Sequence, residues 1–133
     1  MNLVCVADCG IDRYLDAAVD RAGGIGLNVA VHARRLCAVD DTVTVIAPVG
    51  SDAGADLVRS AIARAGLGSY LVVRDGPTPV QLIRHAADGE RVFVAYDEGV
   101  LAGYRFGAAE RTLVADADVV MTAAFGRNSR SIV

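Results

Sequence analysis

A pair of glycines followed by an amphipathic segment is the feature that most constrains how this sequence folds. Gly23 and Gly24 allow positive φ and close approach to a ligand, because no Cβ stands in the way. The residues after them predict a helix. Its expected apolar stripe consists of Val29, Ala30, Ala33, Leu36 and Cys37. Asn28 falls in the first turn, where unpaired backbone N–H groups favour polar or anionic ligands. The segment predicts either a site for a polyhydroxy or phosphorylated molecule or only a tight loop before a core helix.

Composition narrows the possible classes of function. The 133 residues suit one domain, and a hydrophobic content of 53% is enough for a core. The net charge of -3 argues against nucleic acid or a membrane surface as the main partner. The first residues lack a signal-like pattern and no apolar run reaches transmembrane length, so we expect a cytoplasmic protein. All 13 basic residues are arginines, which excludes lysine-based catalysis within this sequence.

Short apolar runs alternate with helical patterns over the first 73 residues. Residues 3–7 and 43–49 predict buried strands and residues 71–73 a third short strand, and Asp52 is placed to cap a second helix that ends at Gly66. The apolar stripe predicted for that helix consists of Leu57, Val58, Ala61, Ile62 and Ala65. This alternation is typical of parallel βαβ units.

Other segments carry different signals. Residues 14–19 predict a short extended segment, and 79–86 with 91–96 predict a hairpin around Asp88-Gly89. A loop over 97–107, a helix over 108–114 and a strand over 118–123 follow, and then a polar stretch over 125–133. A buried strand normally has a helix to cover it, so the domain is expected to be incomplete.

Motifs of other enzyme classes are absent or misplaced. Gly24 to Val29 does not complete a dinucleotide fingerprint and begins too far past the first strand. His32 and His85 are expected in surface or packing roles. The three cysteines fit no metal spacing and are interpreted as reduced thiols, with Cys9 beside a glycine turn. We therefore predict no catalytic residue and no metal site. Asp12 is expected near the sheet edge where α/β proteins bind ligands, or else as a turn or cap carboxylate.

Five short motifs occur in a fixed order along the chain. They are Asp8-x-Gly10-x-Asp12-x-Tyr14, Gly23-Gly24-x-x-x-Asn28-Val29-Ala30, Val49-Gly50-Ser51-Asp52-Ala53-Gly54, Pro77-Thr78 and Asp88-Gly89-Glu90-Arg91-Val92-Phe93. This set resembles the N-terminal half of the ribokinase-like (PfkB) carbohydrate kinases. The link from Asp12 to the glycine pair and the segment Tyr96-Asp97-Glu98-Gly99-Val100 look most like the fructosamine or fructoselysine 6-kinase branch.

The resemblance implies a fold and an activity. The fold is α/β, an incomplete ribokinase-like three-layer fold with a mostly parallel central sheet, flanking helices and a small β lid. The activity is ATP-dependent phosphorylation of a sugar or fructosamine hydroxyl. The implied substrate-binding residues are Gly10, Asp12, Gly23, Gly24, Asn28, Tyr96 and Asp97. Residues 14–19 and the hairpin would supply the lid, through which a homodimer could form.

Departures from the family pattern limit what the resemblance implies. Ile25 follows the glycines where relatives often place a polar residue, and Cys37 stands at a usual glycine position. The family's Gly-Ala-Gly-Asp motif, with its catalytic Asp and the main site for ATP and Mg²⁺, belongs to a C-terminal half that residues 1–133 lack. The chain alone is therefore expected to be inactive. The alternatives are an inactive truncated relative that serves in oligomerisation and a small-molecule binding module.

Overall fold

Two four-stranded sheets organise the chain in the computed structural model, which describes residues 1–6 and 8–123. In chain order the strands are β1 (Asn2–Val6), β2 (Gly10–Tyr14), β3 (Val19–Gly23), β4 (Thr42–Val49), β5 (Gly68–Val73), β6 (Val80–His85), β7 (Arg91–Asp97) and β8 (Val119–Thr122). The first sheet has the order β5-β4-β1-β8 and is parallel throughout. The second sheet has the order β3-β2-β6-β7. Its β2–β3 and β6–β7 pairs are antiparallel and its β2–β6 pair is parallel.

Helices cover both faces of the first sheet. They are α1 (Ile25–Leu36), α2 (Ala53–Arg64) and α3 (Ala108–Ala115), and a 3₁₀ turn spans Gly99–Leu101. Leu3 and Cys5 of β1 contribute to the core that contains α1 and α2, while Val4 and Val6 pack with residues of α3. Because alternate side chains of β1 enter different cores, the strand is apolar at nearly every position. The predicted three-layer α/β arrangement is confirmed.

Several local predictions are also confirmed. Asp52 caps α2 by accepting a hydrogen bond from the Ala55 N–H at 3.1 Å, and Gly66 follows that helix with φ of 64°. Strands β6 and β7 form the predicted hairpin, with Gly89 at φ of 87° in the turn. Strand β8 occurs where an apolar strand was expected. The polar stretch predicted over residues 125–133 lies outside the described residues.

The prediction of an extended segment over residues 14–19 is wrong. The chain instead forms the tight hairpin β2–β3, whose turn occupies residues 15–18 and includes Ala18 at φ of 51°. The strands are short and polar, so their alternation is weak in sequence. A cross-strand ion pair joins the two strands. In it, Nε and Nη2 of the Arg13 guanidinium donate to the Asp20 carboxylate at 2.8 and 2.7 Å.

The apolar stripe predicted for α1 is wrong in part. Ala30 is fully buried as expected, but Val29 is 39% exposed and Leu36 is 88% exposed. Leu27, which the prediction left out, is buried instead. The helix begins at Ile25, and its packing against β1 and β4 determines which apolar residues face inward.

Candidate functional site

The loop between β1 and β2 meets the start of α1. Gly24 is the N-cap residue of α1 and has φ of 108°. A Cβ at this position would collide with the carbonyl oxygen of Asp8. The Asp8 carboxylate accepts a hydrogen bond from the Gly26 N–H at 3.1 Å, which satisfies one of the free donors of the helix. Asp8 and the glycine pair therefore form one unit at the carboxyl end of β1.

Asp12 lies on β2, with its carboxylate above Gly23 of β3. A Cβ on Gly23 would lie 2.5 Å from the carboxyl carbon of Asp12 and 2.6 and 2.7 Å from its oxygens. Gly10 pairs in register with Gly23, and a Cβ there would lie 2.6 Å from the Pro79 carbonyl oxygen. A side chain at either glycine would therefore collide with neighbouring atoms. The absence of a side chain at Gly23 leaves room for the Asp12 carboxylate.

The Asp12 carboxylate is half-buried and has no donor within the described part of the chain. Burial raises the pKa of Asp12, and the charge of Asp8 raises it further, while Arg91 acts in the opposite direction. Its oxygens accept no hydrogen bond from residues 1–6 or 8–123. Its oxygens are not fully buried, so they are open to a ligand, and hydroxyl groups of a ligand are suitable donors for them.

A row of side chains crosses the second sheet beside Asp12. Arg21, Gln81 and Tyr96 stand in register with Asp12 on the neighbouring strands, so they share one face, which we call the Asp12 face. The Gln81 side-chain amide is held in place by donating to the carbonyl oxygen of Ala95 at 2.7 Å. The row places several polar groups next to the space above Asp12.

Tyr96 keeps its hydroxyl proton in this environment. Burial and the charges of Asp8, Glu98 and Asp97 raise the pKa of Tyr96 to about 12. The phenol is therefore neutral at physiological pH and can donate a hydrogen bond.

The structure brings most of the predicted site residues together. Gly10, Asp12, Gly23 and Gly24 surround the junction of β2, β3 and α1, and Tyr96 is on the Asp12 face. Asn28 lies in the first turns of α1, where its side-chain amide is exposed and has no partner among residues 1–6 and 8–123.

Asp97 has a different setting. It follows Tyr96 on β7 and, by the alternation of a strand, belongs to the opposite face. Its carboxylate accepts a hydrogen bond from the Gly99 N–H at 2.9 Å, which closes the turn that follows β7.

Sequence reasoning missed Asp8 and Gln81 as site residues. The position of Asp8, directly after a buried strand, was a signal that could have identified it. Gln81 carried no such signal, because only the register of β6 against β2 places it beside Asp12.

A buried hydrogen-bond network joins the second sheet to the first. The Thr78 hydroxyl donates to Asp52 Oδ1 at 2.6 Å and accepts from the Gly50 N–H at 3.0 Å, and the Thr78 N–H donates to Asp52 Oδ2 at 2.9 Å. Gly54 brings α2 close to the second sheet, since a Cβ there would lie 3.1 Å from Ile11 Cγ1 on β2 and from the Cβ of Thr78, which precedes β6. This network fixes the start of β6 against α2 and so positions the Asp12 face.

The described residues include no group of three or more histidine, cysteine, aspartate or glutamate side chains that could hold a metal ion. Cys5, Cys9 and Cys37 are free thiols. Burial, together with the charge of Asp8, strongly raises the pKa of the Cys9 thiol. No helix among residues 1–6 and 8–123 is long and apolar enough to cross a membrane.

The fold and the site define an α/β protein in which the polar face of a second sheet lies beside the carboxyl end of a parallel strand. The model of the pfkB family of carbohydrate kinases matches residues 5–130, and the chain belongs to this family. No curated protein sequence matches the chain.

Solved structures of sugar kinases share the fold. The chain is similar to the structure of ribokinase from Giardia lamblia, with a TM-score of 0.75, 18% identity and coverage of 91% of this chain and 41% of that one. It is also similar to a carbohydrate kinase from Agrobacterium tumefaciens (TM-score 0.72, 22% identity, 91% and 44% coverage). A third similar structure is fructokinase from Xylella fastidiosa (0.70, 23%, 91% and 42%). The chain therefore spans about two-fifths of the length of these structures.

Proposed function

We propose that this chain is the sugar-binding part of an ATP-dependent carbohydrate kinase. The observation that carries the proposal is the Asp12 carboxylate, which is half-buried above Gly23 and lacks a protein donor among the described residues. Sugar hydroxyls would supply the missing hydrogen bonds. Asn28 and Tyr96 would contribute further hydrogen bonds, and Gly10, Gly23 and Gly24 would let the sugar approach the backbone. Asp97 would act at the edge of this site, through the turn that follows Tyr96.

The second sheet would act as a lid over the sugar. It is joined to the first sheet at the network around Thr78, and its Asp12 face carries the polar row. A closed lid would exclude water from the transferred phosphoryl group. The link between Asp12 and the glycine pair, and the segment from Tyr96 to Val100, favour a fructosamine or fructoselysine as the sugar.

We propose that the site for Mg²⁺ and the nucleotide phosphates lies outside this chain, and this is supported by the absence of a metal-binding cluster among the described residues. We propose that residues 1–133 correspond to the N-terminal half of the kinase domain, and that the ATP site and the catalytic base belong to a C-terminal half. The chain alone would then bind a sugar and phosphorylate nothing.

Calorimetric titration of the chain with D-ribose, D-fructose and fructosylglycine tests the sugar site. We expect at least one of them to bind, and Asp12→Asn to weaken that binding by about 10- to 100-fold, the range for a hydrogen bond to a charged group. Asp40→Asn, which changes an exposed loop carboxylate, is the matched control and should bind like the wild type. Absence of binding to every sugar, or unchanged binding by Asp12→Asn, would contradict the proposal.

Two further proposals follow from the family. We propose a homodimer through the second sheet, supported by the apolar side chains of Phe93 and Val94 on edge strand β7, which are 63% and 49% exposed. Sedimentation velocity that finds only monomer at high concentration would contradict it. We also propose a cytoplasmic location, supported by the free thiols.

A further inference from the structure

Helix α1 has no side-chain cap of its own. Its N-cap residue is Gly24, which has no side chain, and its first turn contains no acidic residue. The backbone N–H groups of that turn therefore depend on acceptors from elsewhere in the chain. Helix α2 differs, because its own N-cap residue, Asp52, bonds to the Ala55 N–H.

Asp8 takes the place of the missing cap. Its Oδ1 accepts a hydrogen bond from the Gly26 N–H at 3.1 Å, although the two residues lie 18 positions apart in the chain. Gly26 is the second residue of the helix, and an N-cap side chain usually bonds to the N–H of the second or third residue. Within the described residues, no other side chain bonds to the backbone of residues 24–28.

The position of Asp8 in the chain connects this cap to both sheets. Asp8 lies between the end of β1 and the start of β2. The next residue, Cys9, is buried in the core that also contains Leu27 of α1. The carbonyl oxygen of Asp8 lies directly against Gly24, where it leaves no room for a Cβ. The contacts of Asp8 therefore set the position of the start of α1 relative to the two strands.

Two residues of the proposed sugar site meet at this junction. The Asp12 carboxylate lies above Gly23, and Gly23 directly precedes the N-cap residue. Asn28 lies one turn into the helix, where its N–H donates to the Gly24 carbonyl oxygen at 3.0 Å. A sugar that bonds to both Asp12 and Asn28 requires a fixed separation between β2 and the first turn of α1.

Packing holds only one side of that first turn. Leu27 and Ala30 are buried against the first sheet, whereas Ile25 is 42% exposed and Asn28 is also exposed. Helix ends fray where their backbone groups lack partners. The hydrogen bond from Asp8 therefore supplies a restraint at the helix start that apolar packing does not supply.

We propose that Asp8 is a positioning residue of the sugar site. Its carboxylate fixes the first turn of α1, so that Asn28 and Asp12 bind the same sugar together. This inference rests on the proposed function, because it concerns two residues of that site. Asp8 acts through the helix, so its removal should weaken the contribution of Asn28 and leave that of Asp12 unchanged.

Calorimetric titration of the 133-residue chain tests the role of Asp8, using whichever of D-ribose, D-fructose and fructosylglycine binds most tightly. Asp8→Ala should weaken binding by about fivefold to tenfold, as expected for the loss of one helix cap. Asp8→Asn keeps a side-chain oxygen at the same distance from the backbone and should stay within about twofold of the wild type. Circular dichroism checks that each variant is folded.

Asp41→Ala is the matched control. The Asp41 carboxylate accepts a hydrogen bond from the Ala38 N–H at 2.8 Å, just beyond the opposite end of the same helix. Asp41→Ala should therefore bind the sugar like the wild type, even if it lowers the stability of the fold. Equal weakening by Asp41→Ala and Asp8→Ala would show a general effect on stability and overturn the inference.

A double-mutant cycle separates positioning from direct contact. Asn28→Ala should weaken binding, and adding Asp8→Ala should then change it by less than about twofold, because the residue that Asp8 positions is already gone. Combined with Asp12→Asn, Asp8→Ala should keep its full effect. NMR titration covers the weak affinities of the double variants. If Asp8→Ala keeps its full effect in the Asn28→Ala background, Asp8 does not act through Asn28.

Amide hydrogen exchange tests the cap without a sugar. The Gly26 N–H should exchange slowly in the wild type, and Asp8→Ala should accelerate its exchange about fivefold or more, whereas Asp8→Asn and Asp41→Ala should not. The wild-type measurement needs no variant, so it remains decisive if Asp8→Ala does not fold. Unprotected exchange of the Gly26 N–H in the wild type would overturn the inference.

The outcomes distinguish this inference from the proposed function. A wild-type chain that binds sugar, together with an Asp8→Ala variant that binds it equally well, would overturn the inference and leave the sugar site intact. If the wild type binds none of the three sugars, the proposed function fails and the inference fails with it.

Discussion

The two sheets of this protein are built in different ways. In the first sheet, side chains of β1 and β4 such as Cys5, Val45 and Ile46 are completely buried, because helices cover both faces. In the second sheet, every residue of β7 except Val92 is exposed, and the Asp12 face carries polar and charged groups. The comparison indicates that the first sheet provides most of the buried core, while the second sheet carries the polar side chains of the proposed sugar site.

Removing apolar side chains from the two sheets should have unequal effects. Ile46→Ala empties a fully buried position on β4 and should lower the free energy of unfolding by about 2–5 kcal/mol. Phe93→Ala removes a larger side chain from β7, but that side chain is 63% exposed, so the loss should stay below about 1 kcal/mol. Urea denaturation measures both. Equal losses would show that the second sheet has a core of its own, contrary to this comparison.

The junction between the sheets should show an intermediate effect. Thr78→Val keeps the shape of the side chain but leaves the Gly50 N–H and Asp52 Oδ1 without their buried partner, so it should cost about 1–3 kcal/mol. Thr112→Val is the matched control, because that hydroxyl is exposed on α3 and should cost less than about 0.5 kcal/mol. Urea denaturation again gives both values, and similar costs would contradict a structural role for the network.

Asp52 and Asp12 should respond to pH in opposite directions. Burial opposes ionisation of Asp52, but hydrogen bonds from Thr78 and Ala55 outweigh it and lower its pKa below the ordinary value of 3.8. The stabilisation it provides is therefore complete above about pH 4 and is lost as the pH falls through the folded-state pKa. Asp52→Asn should flatten this acid limb of the stability curve.

For Asp12 the sign is reversed, because burial raises its pKa in the folded state. The free energy of unfolding should fall as the pH rises from 3.8 through the folded-state pKa of Asp12. In this range the Asp12 carboxyl loses its proton more readily in the unfolded chain than in the folded one. Asp12→Asn should therefore be slightly more stable than the wild type at neutral pH, although it binds sugar less well. Thermal unfolding across pH 3–7 measures both effects, and a loss of stability in Asp12→Asn at neutral pH would contradict the assignment.

The sequence predicted the first sheet better than the second. The strands of the first sheet were predictable because residues buried on both faces give continuous apolar runs, as in residues 3–7 and 43–49. The cap at Asp52 and the turn at Gly89 were predictable because each depends on local backbone chemistry. The β2–β3 hairpin was not, because its strands are polar and held by pairing with each other.

The sequence identified individual residues of the site but did not predict how they are arranged. Gly23, Gly24 and Asp12 were identified from motif spacing, and the structure brings them together. Arg21 and Gln81 had no signal in the sequence, because each is one polar residue on a short strand, and Arg91 was part of a motif but was not identified as a site residue. Their proximity depends on the register of four strands that are distant in sequence.

The sequence by itself determined the parallel βαβ core, the helix caps and the glycine positions, because local periodicity and backbone preferences specify these. Only the tertiary structure decided which face of α1 is buried, how the second sheet pairs, and that Asp12, Arg21 and Gln81 share one face. The physical reason is that burial and cross-strand register result from contacts between distant segments, which no local pattern encodes.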